Sequence, residues 1–351
     1  MRRPYGPLLL ACLPALLVLV GCGADLIYFE SDQISGAGTT TIIVAWRDAP
    51  ADEAESVRVT LERVEMHGPE GTVTLYEGRQ VHDLLTLVNG VKAQVASREI
   101  ASGRWEGLRF VLSSDETGSH TVTVGGAVHV LSFARPGAWI VDVAYPVELT
   151  ADEVTEIEVD FNVRLSVYEA AGTWFLDPHL SAVDPTGGGG VSGTVRSTTG
   201  FLVAGATVSA QQGAWEILST RAAADGTFRL HPLPPGPYAI VATASGLTPG
   251  VVDDVTVTVG VDRGGVEPLL APAVEGGVQG LAPTGRPGLR VRMIGDAGLI
   301  AVVGVDPATG AFALPALAPG DYDVQLWDGE VLVTSQSGVQ VRSGEVAIVD
   351  L

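Results

Sequence analysis

An internal repeat constrains the fold of this chain more than any other feature of its sequence. Two segments share one pattern of turn, apolar and proline-glycine residues: 225–230, Leu233, Pro235-Gly236 and Tyr238 in the first, and 309–314, Leu317, Pro319-Gly320 and Tyr322 in the second, 84 positions later. Matches at one fixed offset predict two tandem copies of one fold. The turns, the paired Phe and Leu, and the Tyr after Pro-Gly are typical of short antiparallel strands around a core.

The composition predicts an all-β protein. The 351 residues are enough for two or three domains, and the 44 glycines and 21 prolines interrupt valine-rich runs, as turns between strands do. We therefore expect three tandem β-sandwich domains, a larger one followed by the two repeats. The predicted divisions are a leader at 1–21, a tether at 22–39, a β domain at 40–184, a glycine-rich linker at 185–190, and repeats at 191–272 and 273–351.

Alternating apolar and polar residues predict the strands of the larger domain. We place them at 41–46, 57–66, 72–76, 108–112, 121–124, 128–133, 156–163 and 173–176. A short helix or irregular segment is expected at 86–97. The linker is expected to be flexible, with the three domains arranged like beads.

The amino terminus resembles a bacterial lipoprotein signal peptide. Arg2 and Arg3 precede an apolar run that ends at Gly21-Cys22 and is too short to span a bilayer. In that family the matching cysteine carries a diacylglycerol, and the new amino terminus is acylated, with palmitate as an expected chain. The resemblance thus implies that Cys22 is a lipid anchor to the cell envelope. A core cysteine after a cleaved secretory leader is the alternative.

The resemblance also favours the outer membrane. Gly23 stands where an aspartate would hold such a lipoprotein at the inner membrane. Cys12 would be lost with the leader, which leaves Cys22 as the one cysteine. We therefore expect no intramolecular disulfide, and domains held together by packing alone.

The repeats resemble the carboxypeptidase regulatory-like family. The pattern G-x-V-x-G, followed by D-G-x-F-x-L-x-x-L-x-P-G-x-Y, runs through 190–270 and more loosely through 275–351. The resemblance implies a seven-stranded transthyretin-like Greek-key sandwich. Members of this family serve as spacers, adhesion modules and carbohydrate-binding-like domains, so it implies no single activity.

The larger domain resembles the domain of unknown function 4382 family, which is found in bacterial envelope lipoproteins. The matching motifs are Asp48-Ala49-Pro50, 64–67, 83–85, Asn89-Gly90, 103–105, 160–162, Ser166-Val167 and 176–178. The resemblance implies a β-rich fold and offers no activity to carry over.

The charge and the absent motifs exclude several classes of function. A net charge of −21 disfavours nucleic acid as a partner. The six histidines lack the spacings typical of zinc sites, and the sequence has neither a G-x-S-x-G nor a P-loop motif. We therefore expect a protein that is not an enzyme.

One strand predicts a candidate metal site. Glu156, Glu158, Asp160 and Asn162 alternate with apolar residues, so a strand places four oxygen-bearing side chains on one face. Calcium takes six to eight oxygen ligands, but neighbours on one face of a strand lie ~6.6 Å apart and would need help from loops. A solvated acidic face is the other interpretation, and it is the one we favour. Calcium is the one cofactor considered.

Tryptophans are the candidate ligand-binding residues, because their rings stack on the apolar faces of sugars. Trp46, Trp105 and Trp174 lie in predicted strands and are assigned to the core. Trp139 adjoins 133–137, where the sequence departs from the family pattern, and is the favoured candidate. Trp215 and Trp327 are the candidates in the repeats.

These observations predict a non-catalytic envelope lipoprotein that acts in binding or adhesion, with a carbohydrate as the candidate ligand and the repeats as spacers. Two alternatives remain open: a calcium-dependent envelope enzyme or enzyme accessory, and a structural partner of another envelope protein. Clustered exposed aromatic residues would favour the first hypothesis. Converging carboxylates with a perturbed pKa would favour the second, and a large apolar patch the third.

Overall fold

The computed structural model describes residues 38–49, 54–87, 90–115, 117–213, 215–296 and 298–351. The predicted leader, Cys22 and nearly all of the predicted tether lie outside these residues. Within the described residues, no helix has the length and apolar character needed to cross a membrane. The described chain is almost entirely β, as the composition predicts.

The first domain contains twelve strands, one 3-10 turn and one short helix among its described residues. They are β1 Thr39–Ala49, β2 Ser56–Gly68, β3 Gly71–Asp83, the turn Leu84–Thr86, β4 Ala93–Ala101, β5 Gly103–Leu112, β6 Thr121–Val124, β7 Ala127–Phe133, β8 Ile140–Leu149, β9 Val154–Asn162, α1 Val163–Ser166, β10 Val167–Ala170, β11 Thr173–Leu176 and β12 Leu180–Val183.

These strands form two sheets that enclose one core. The smaller sheet has the order β12-β9-β1-β4, with β9 parallel to β1. The larger has the order β10-β11-β7-β6-β2-β5-β8, with β3 also paired to β2. Alternate residues of each strand point inward, so β1 buries Ile42, Val44 and Trp46. The Trp46 ring centroid lies 5.5 Å from that of Phe161 on β9.

The predicted helix or irregular segment at 86–97 is wrong over its second half. Residues from Ala93 onward belong to β4, which pairs with β1 and buries Val95 and Ala96. The strands β8, β10 and β12 also had no counterpart in the prediction. β10 and β12 have four residues each, which is too short for an alternating pattern to be recognised.

The described residues of the first repeat form ten strands. They are β13 Gly189–Thr194, β14 Arg196–Ser197, β15 Thr207–Gln212, β16 Trp215–Arg221, β17 Thr227–Leu233, β18 Gly236–Thr243, β19 Leu247–Thr248, β20 Gly250–Val257, β21 Asp262–Val266 and β22 Leu269–Pro272. Two sheets with the orders β17-β13-β21 and β16-β15-β18-β20 form the sandwich, and a small sheet β14-β22-β19 is added to it.

In the second repeat, seven strands are found among the residues that the structure describes. They are β23 Gly276–Leu281, β24 Leu289–Gly295, β25 Gly298–Gly304, β26 Ala311–Leu317, β27 Gly320–Asp328, β28 Val331–Val341 and β29 Val346–Ile348. Their sheets, β26-β23-β29 and β25-β24-β27-β28, are those of the first repeat without the small sheet. The seven-stranded sandwich predicted from the family resemblance is present.

The repeated glycines allow a close approach of two backbones. A Cβ on Gly193 would lie 1.7 Å from the Val266 carbonyl oxygen, and a Cβ on Gly280 would lie 1.5 Å from that of Val349. A side chain at either position would collide with main chain, so only glycine fits. The last glycine of the G-x-V-x-G pattern therefore marks the close approach of the first strand of each repeat to the end of β21 or to the residue that follows β29.

The repeated tyrosines fix the same corner in both copies. The Tyr238 hydroxyl donates to the Pro234 carbonyl oxygen at 2.8 Å, and the Tyr322 hydroxyl donates to that of Ala318 at 2.7 Å. Each bond spans four residues and holds the Pro-Gly reversal against the strand that follows it.

The three domains pack against one another, so the predicted arrangement like beads is wrong. Ala239 and Val241 of β18 pack against the core of the second repeat. The Gln211 side chain donates to the Leu299 carbonyl oxygen at 3.0 Å and accepts from the Leu299 amide at 2.7 Å. β13 also begins at buried Gly189, inside the predicted linker. The apolar contacts and the hydrogen bonds between the Gln211 side chain and the Leu299 main chain join the repeats into one body.

Candidate functional site

A crevice of about 600 Å³ lies where the three domains meet. Its walls include Asp160 and His179 from the first domain, Trp215 and Glu216 from the first repeat, and Arg292 and Glu330 from the second. Clefts between domains are common ligand sites, because several elements can converge there without filling the space.

The acidic row on β9 faces this junction. Glu158, Asp160 and Asn162 are buried, because the first repeat covers the outer face of the strand. The interpretation of the row as a solvated acidic face is therefore wrong at these three positions. Burial of both faces of β9 is a property of domain packing and is invisible in the sequence alternation.

Cations neutralise the acids of this row. Lys92 Nζ lies 3.1 Å from Glu158 Oε1 and also bonds Glu156. Arg47 on β1 lies 3.9 Å from Glu158 Oε2 and 3.7 Å from Asp160 Oδ1. Within the described ranges no three His, Cys, Asp or Glu side chains are grouped to hold a metal ion. The three acids predicted as calcium ligands thus lie beside Lys92 or Arg47. The arrangement of the four predicted ligands does not fit the ion.

Asp160 is the most perturbed carboxyl of the row. Its side chain is 2% exposed, and burial raises its pKa from 3.8 to about 6, while the charge of Arg47 opposes the shift. Its Oδ1 has no hydrogen-bond partner in the part of the chain that is described. Asp160 therefore holds a proton at a pH where ordinary aspartates have lost theirs.

The short helix α1 delivers an arginine into the first repeat. Asn162 caps the helix by accepting from the Leu165 amide at 3.0 Å, which directs Arg164 away from the first domain. Arg164 Nη1 donates to Glu216 Oε2 at 2.7 Å, and Asn162 Nδ2 donates to Glu216 Oε1 at 3.1 Å. The Glu216 side chain is fully buried, so this pair is a desolvated ionic contact between domains.

A second ionic contact joins the first domain to the second repeat with the opposite polarity. Asp177 of the first domain accepts from Arg290 Nη2 at 2.9 Å and from Arg135 Nη2 at 2.7 Å. The Arg290 guanidinium also lies 5.0 Å from the centre of the Tyr168 ring. Burial lowers the pKa of Arg290 and the charge of Asp177 opposes that shift.

Two of the predicted tryptophans meet at the crevice. Trp215 and Trp327 come from different repeats, and their ring centroids are 5.2 Å apart in an edge-to-face contact. The Arg292 guanidinium lies 4.3 Å from the Trp327 ring centre and 5.7 Å from that of Trp215. Trp327 is buried, whereas 45% of Trp215 is exposed and lines the crevice. Trp215 is therefore the available aromatic face.

Trp139, the favoured candidate from the sequence, does not line the crevice. It is half-buried and packs against the core of the first domain, with its ring centroid 6.0 Å from that of Phe133. The assignment of Trp46 and Trp105 to the core is confirmed, since both are buried, and Trp174 is half-buried against the same core.

Sequence reasoning missed charged residues at the interfaces between the domains, some of which line the crevice. Arg290 and Arg292 alternate with apolar residues on β24, a pattern typical of an exposed face, yet both are buried. His179 Nε2 lies 3.2 Å from Glu330 Oε1, and this contact lowers the pKa of Glu330. Two arginines on one strand face of an acidic chain were the available signal for an ionic interface.

The fold defines a multidomain β-sandwich protein with a crevice between its domains. Residues 39–178 match the family described as Domain of unknown function (DUF4382), and residues 190–265 match the Carboxypeptidase regulatory-like domain. The two matches agree with the resemblances found in the sequence for the first domain and the first repeat, and the regulatory-like match ends at residue 265, before the second repeat. No curated protein matches the sequence.

Several solved structures are similar to the chain at low identity. The Bacillus anthracis TIE protein is 12% identical, covering 90% of this chain and 50% of its own, with a TM-score of 0.21. A streptococcal ancillary pilin is 11% identical, covering 89% and 98%, with a TM-score of 0.20. The minor pilin of Streptococcus agalactiae is 12% identical, covering 46% and 94%, with a TM-score of 0.20. This chain spans half the length of the TIE protein chain, and at these values none of the three indicates an activity.

Proposed function

We propose that this protein is a non-catalytic binding module of the cell envelope, with a carbohydrate as its ligand in the crevice between the three domains. The observation that carries the proposal is the exposed face of Trp215 on the wall of a crevice that also presents polar side chains. An aromatic face beside several hydrogen-bonding groups matches the alternating apolar and hydroxyl surfaces of a pyranose ring.

The surroundings of Trp215 support a preformed binding face. The contacts with Trp327 and Arg292 restrict the ring, so a ligand that stacks on it meets a side chain that is already ordered. His179, Ser181 and Glu330 also line the crevice and offer both hydrogen-bond donors and hydrogen-bond acceptors. The repeats are then part of the site, in contrast to the predicted role as spacers.

The envelope location in this proposal rests on the amino terminus. The basic start, the apolar run and Cys22 resemble a lipoprotein signal, and Gly23 favours the outer membrane. Cys22→Ala is expected to abolish incorporation of labelled palmitate and to release the protein from membrane fractions. Unchanged labelling and fractionation in that variant would overturn the anchor.

The calcium-dependent alternative loses its support from geometry. Lys92 and Arg47 occupy the positions near the acidic row that a cation would need. Glycan binding is therefore expected to be the same with calcium and with a chelator. A ligand that binds in calcium alone would restore that alternative.

The test is binding to a panel of immobilised glycans by residues 37–351, which form one compact unit. Saturable binding to one glycan class is expected, with a loss of about tenfold or more in Trp215→Ala, equivalent to about 1.4 kcal/mol. Phe201→Ala is the matched control, because Phe201 is 74% exposed in the same repeat and does not line the crevice. The proposal fails if no glycan binds, or if Trp139→Ala abolishes binding while Trp215→Ala does not.

A further inference from the structure

The two repeats end their four-stranded sheets with equivalent edge strands. β20 and β28 align at the offset of 84 residues that relates the signature, so Val255 and Val257 correspond to Val339 and Val341. All four valines are buried in their sandwich cores. Each edge strand also carries one residue with a left-handed backbone, Asp254 (φ 56°) in β20 and Gly338 (φ 71°) in β28. The two edge strands therefore share buried valines and a left-handed residue at equivalent positions.

The edge of the first repeat is protected against pairing with another strand. Asp253 and Asp254 place two carboxylates on it, and Pro249 precedes it. Leu247 and Thr248 leave the edge to pair as β19 with β22 of the small sheet. Charges, proline and covering elements are the devices by which proteins prevent edge-to-edge association.

The edge of the second repeat has none of these devices along its eleven residues. The positions equivalent to Asp253 and Asp254 are Ser337 and Gly338, and β28 contains neither charge nor proline. Its first three residues, Val331, Leu332 and Val333, stay in the strand, where 66%, 46% and 40% of each is exposed. Every residue from 331 to 338 is exposed, and β27 is the one strand hydrogen-bonded to β28 among the described strands.

We propose that β28 is the edge at which two copies of this chain pair, antiparallel and about a two-fold axis. The chain carries a net charge of −21, so most contacts between copies would bring like charges together. β28 carries no charge, so its pairing with β28 of a second copy brings no like charges together on the paired strands. The two four-stranded sheets would then form one continuous eight-stranded sheet, and the interface would be isologous, as in most homodimers.

The expected dimer is weak. One strand edge is small beside a standard interface of about 1,600 Å², so we expect a dissociation constant of about 10–100 µM. Sedimentation equilibrium of residues 37–351 below and above that range should show a mass that rises from one copy toward two. Hydrogen exchange of the 331–341 amides should slow over the same concentration range.

The sharpest variant transfers the protection of the first repeat to the second. Ser337→Asp with Gly338→Asp recreates the Asp253-Asp254 pair, and Asp254 shows that aspartate adopts the left-handed backbone at this position. The dissociation constant should rise at least about tenfold, which is about 1.4 kcal/mol. Val331→Lys with Val333→Lys should have the same effect without altering the left-handed position at Gly338.

Controls separate edge pairing from general adhesion of apolar surface. Ile348→Lys removes an equally exposed apolar side chain, 64% exposed on the short strand β29, and should leave the dimer unchanged. A chain that stays monomeric at every concentration overturns the proposal, as does a dimer that persists in the Ser337→Asp/Gly338→Asp variant. Slowed exchange of the 331–341 amides only when an extended basic peptide is added would assign the edge to a foreign partner instead.

Discussion

The two repeats share a core and differ in how they join the rest of the molecule. Gly193 and Gly280 make the same backbone crossing, and Tyr238 and Tyr322 make the same corner bond. The first repeat, however, receives an arginine from the first domain at Glu216, whereas the second supplies Arg290 to an acid of that domain. The repeated residues thus determine the sandwich, and the positions between them determine its neighbours.

The outer faces of the repeats differ in the same way. In the first repeat Arg229 and Asp262 form an ion pair with 2.8 Å between Nη2 and Oδ2. The strand registers place Ala313 and Val346 at the equivalent positions of the second repeat. One sandwich therefore has a charged outer face and the other an apolar face, although their cores follow one pattern.

The largest expected effect comes from breaking the contact of the first repeat. Arg164→Met leaves the Glu216 carboxylate buried with hydrogen bonds from Asn162 and Ser219 but without its cation. The free energy of unfolding should fall by about 3–5 kcal/mol, measured by urea unfolding. Arg290→Met should cost less, because Asp177 keeps Arg135. An equal or larger loss in Arg290→Met would contradict this order.

Replacing the glycine at the close backbone approach should destabilise the protein equally in the two repeats. Gly193→Ala and Gly280→Ala each force a Cβ onto a carbonyl oxygen, and each should destabilise the protein by about 3 kcal/mol or more. Gly264→Ala is the matched control, since its Cβ would meet nothing closer than Ser192 Oγ at 3.7 Å. Thermal unfolding of the three variants distinguishes them, and a harmless Gly280→Ala would show that the second repeat closes differently.

Asp160, which faces the first repeat, should make the free energy of unfolding depend on pH. The unfolded Asp160 carboxyl loses its proton near pH 3.8, whereas the folded one keeps it to about 6, so the folded state binds more protons between these values. The free energy of unfolding should therefore fall as pH rises through this window, by an amount of the order of 3 kcal/mol.

Asp160→Asn should remove that component, because asparagine stays neutral. The difference between the stability profiles of the two proteins should titrate with a midpoint near 6. Asp142→Asn serves as the control: the hydrogen bond from Arg109 lowers the pKa of Asp142, so its contribution is present at neutral pH and lost on acidification. A pH-independent difference for Asp160→Asn would refute the assignment.

The smallest expected effect concerns the tyrosine corners. Tyr238→Phe and Tyr322→Phe each remove one hydroxyl donor to a carbonyl oxygen, for a loss of about 1 kcal/mol. The loss should be somewhat greater at Tyr322, because its bond is buried whereas that of Tyr238 is partly exposed. Chemical unfolding of the two single variants and the double variant measures both, and additivity would show that the corners act independently.

The sequence predicted what local pattern controls. The strands at 121–124 and 173–176 are found at the predicted residues, and the repeat was recognised because its core positions recur at a fixed spacing. The burial of the acidic row and of Arg290 and Arg292 could not be predicted from local pattern. Their burial depends on which domain covers each strand, and neither a period of two nor a residue type reports that.

The candidate site shows the same limit. Trp215 and Trp327 were both identified as candidates, but their contact requires the two repeats to dock at one angle. Trp139 was favoured because it adjoins a departure from a family pattern, and the structure places it against a core. A departure from a pattern marks a change of sequence, whereas a binding face requires exposure within a concave surface.

The contact between Trp215 and Trp327 is an internal spectroscopic probe of how the two repeats dock. Two indoles 5.2 Å apart couple electronically, and each belongs to a different repeat. Any separation of the repeats would change both the near-ultraviolet circular dichroism and the fluorescence of this pair, while the other four tryptophans belong to the first domain. The docking of the two repeats can therefore be followed in solution without a label.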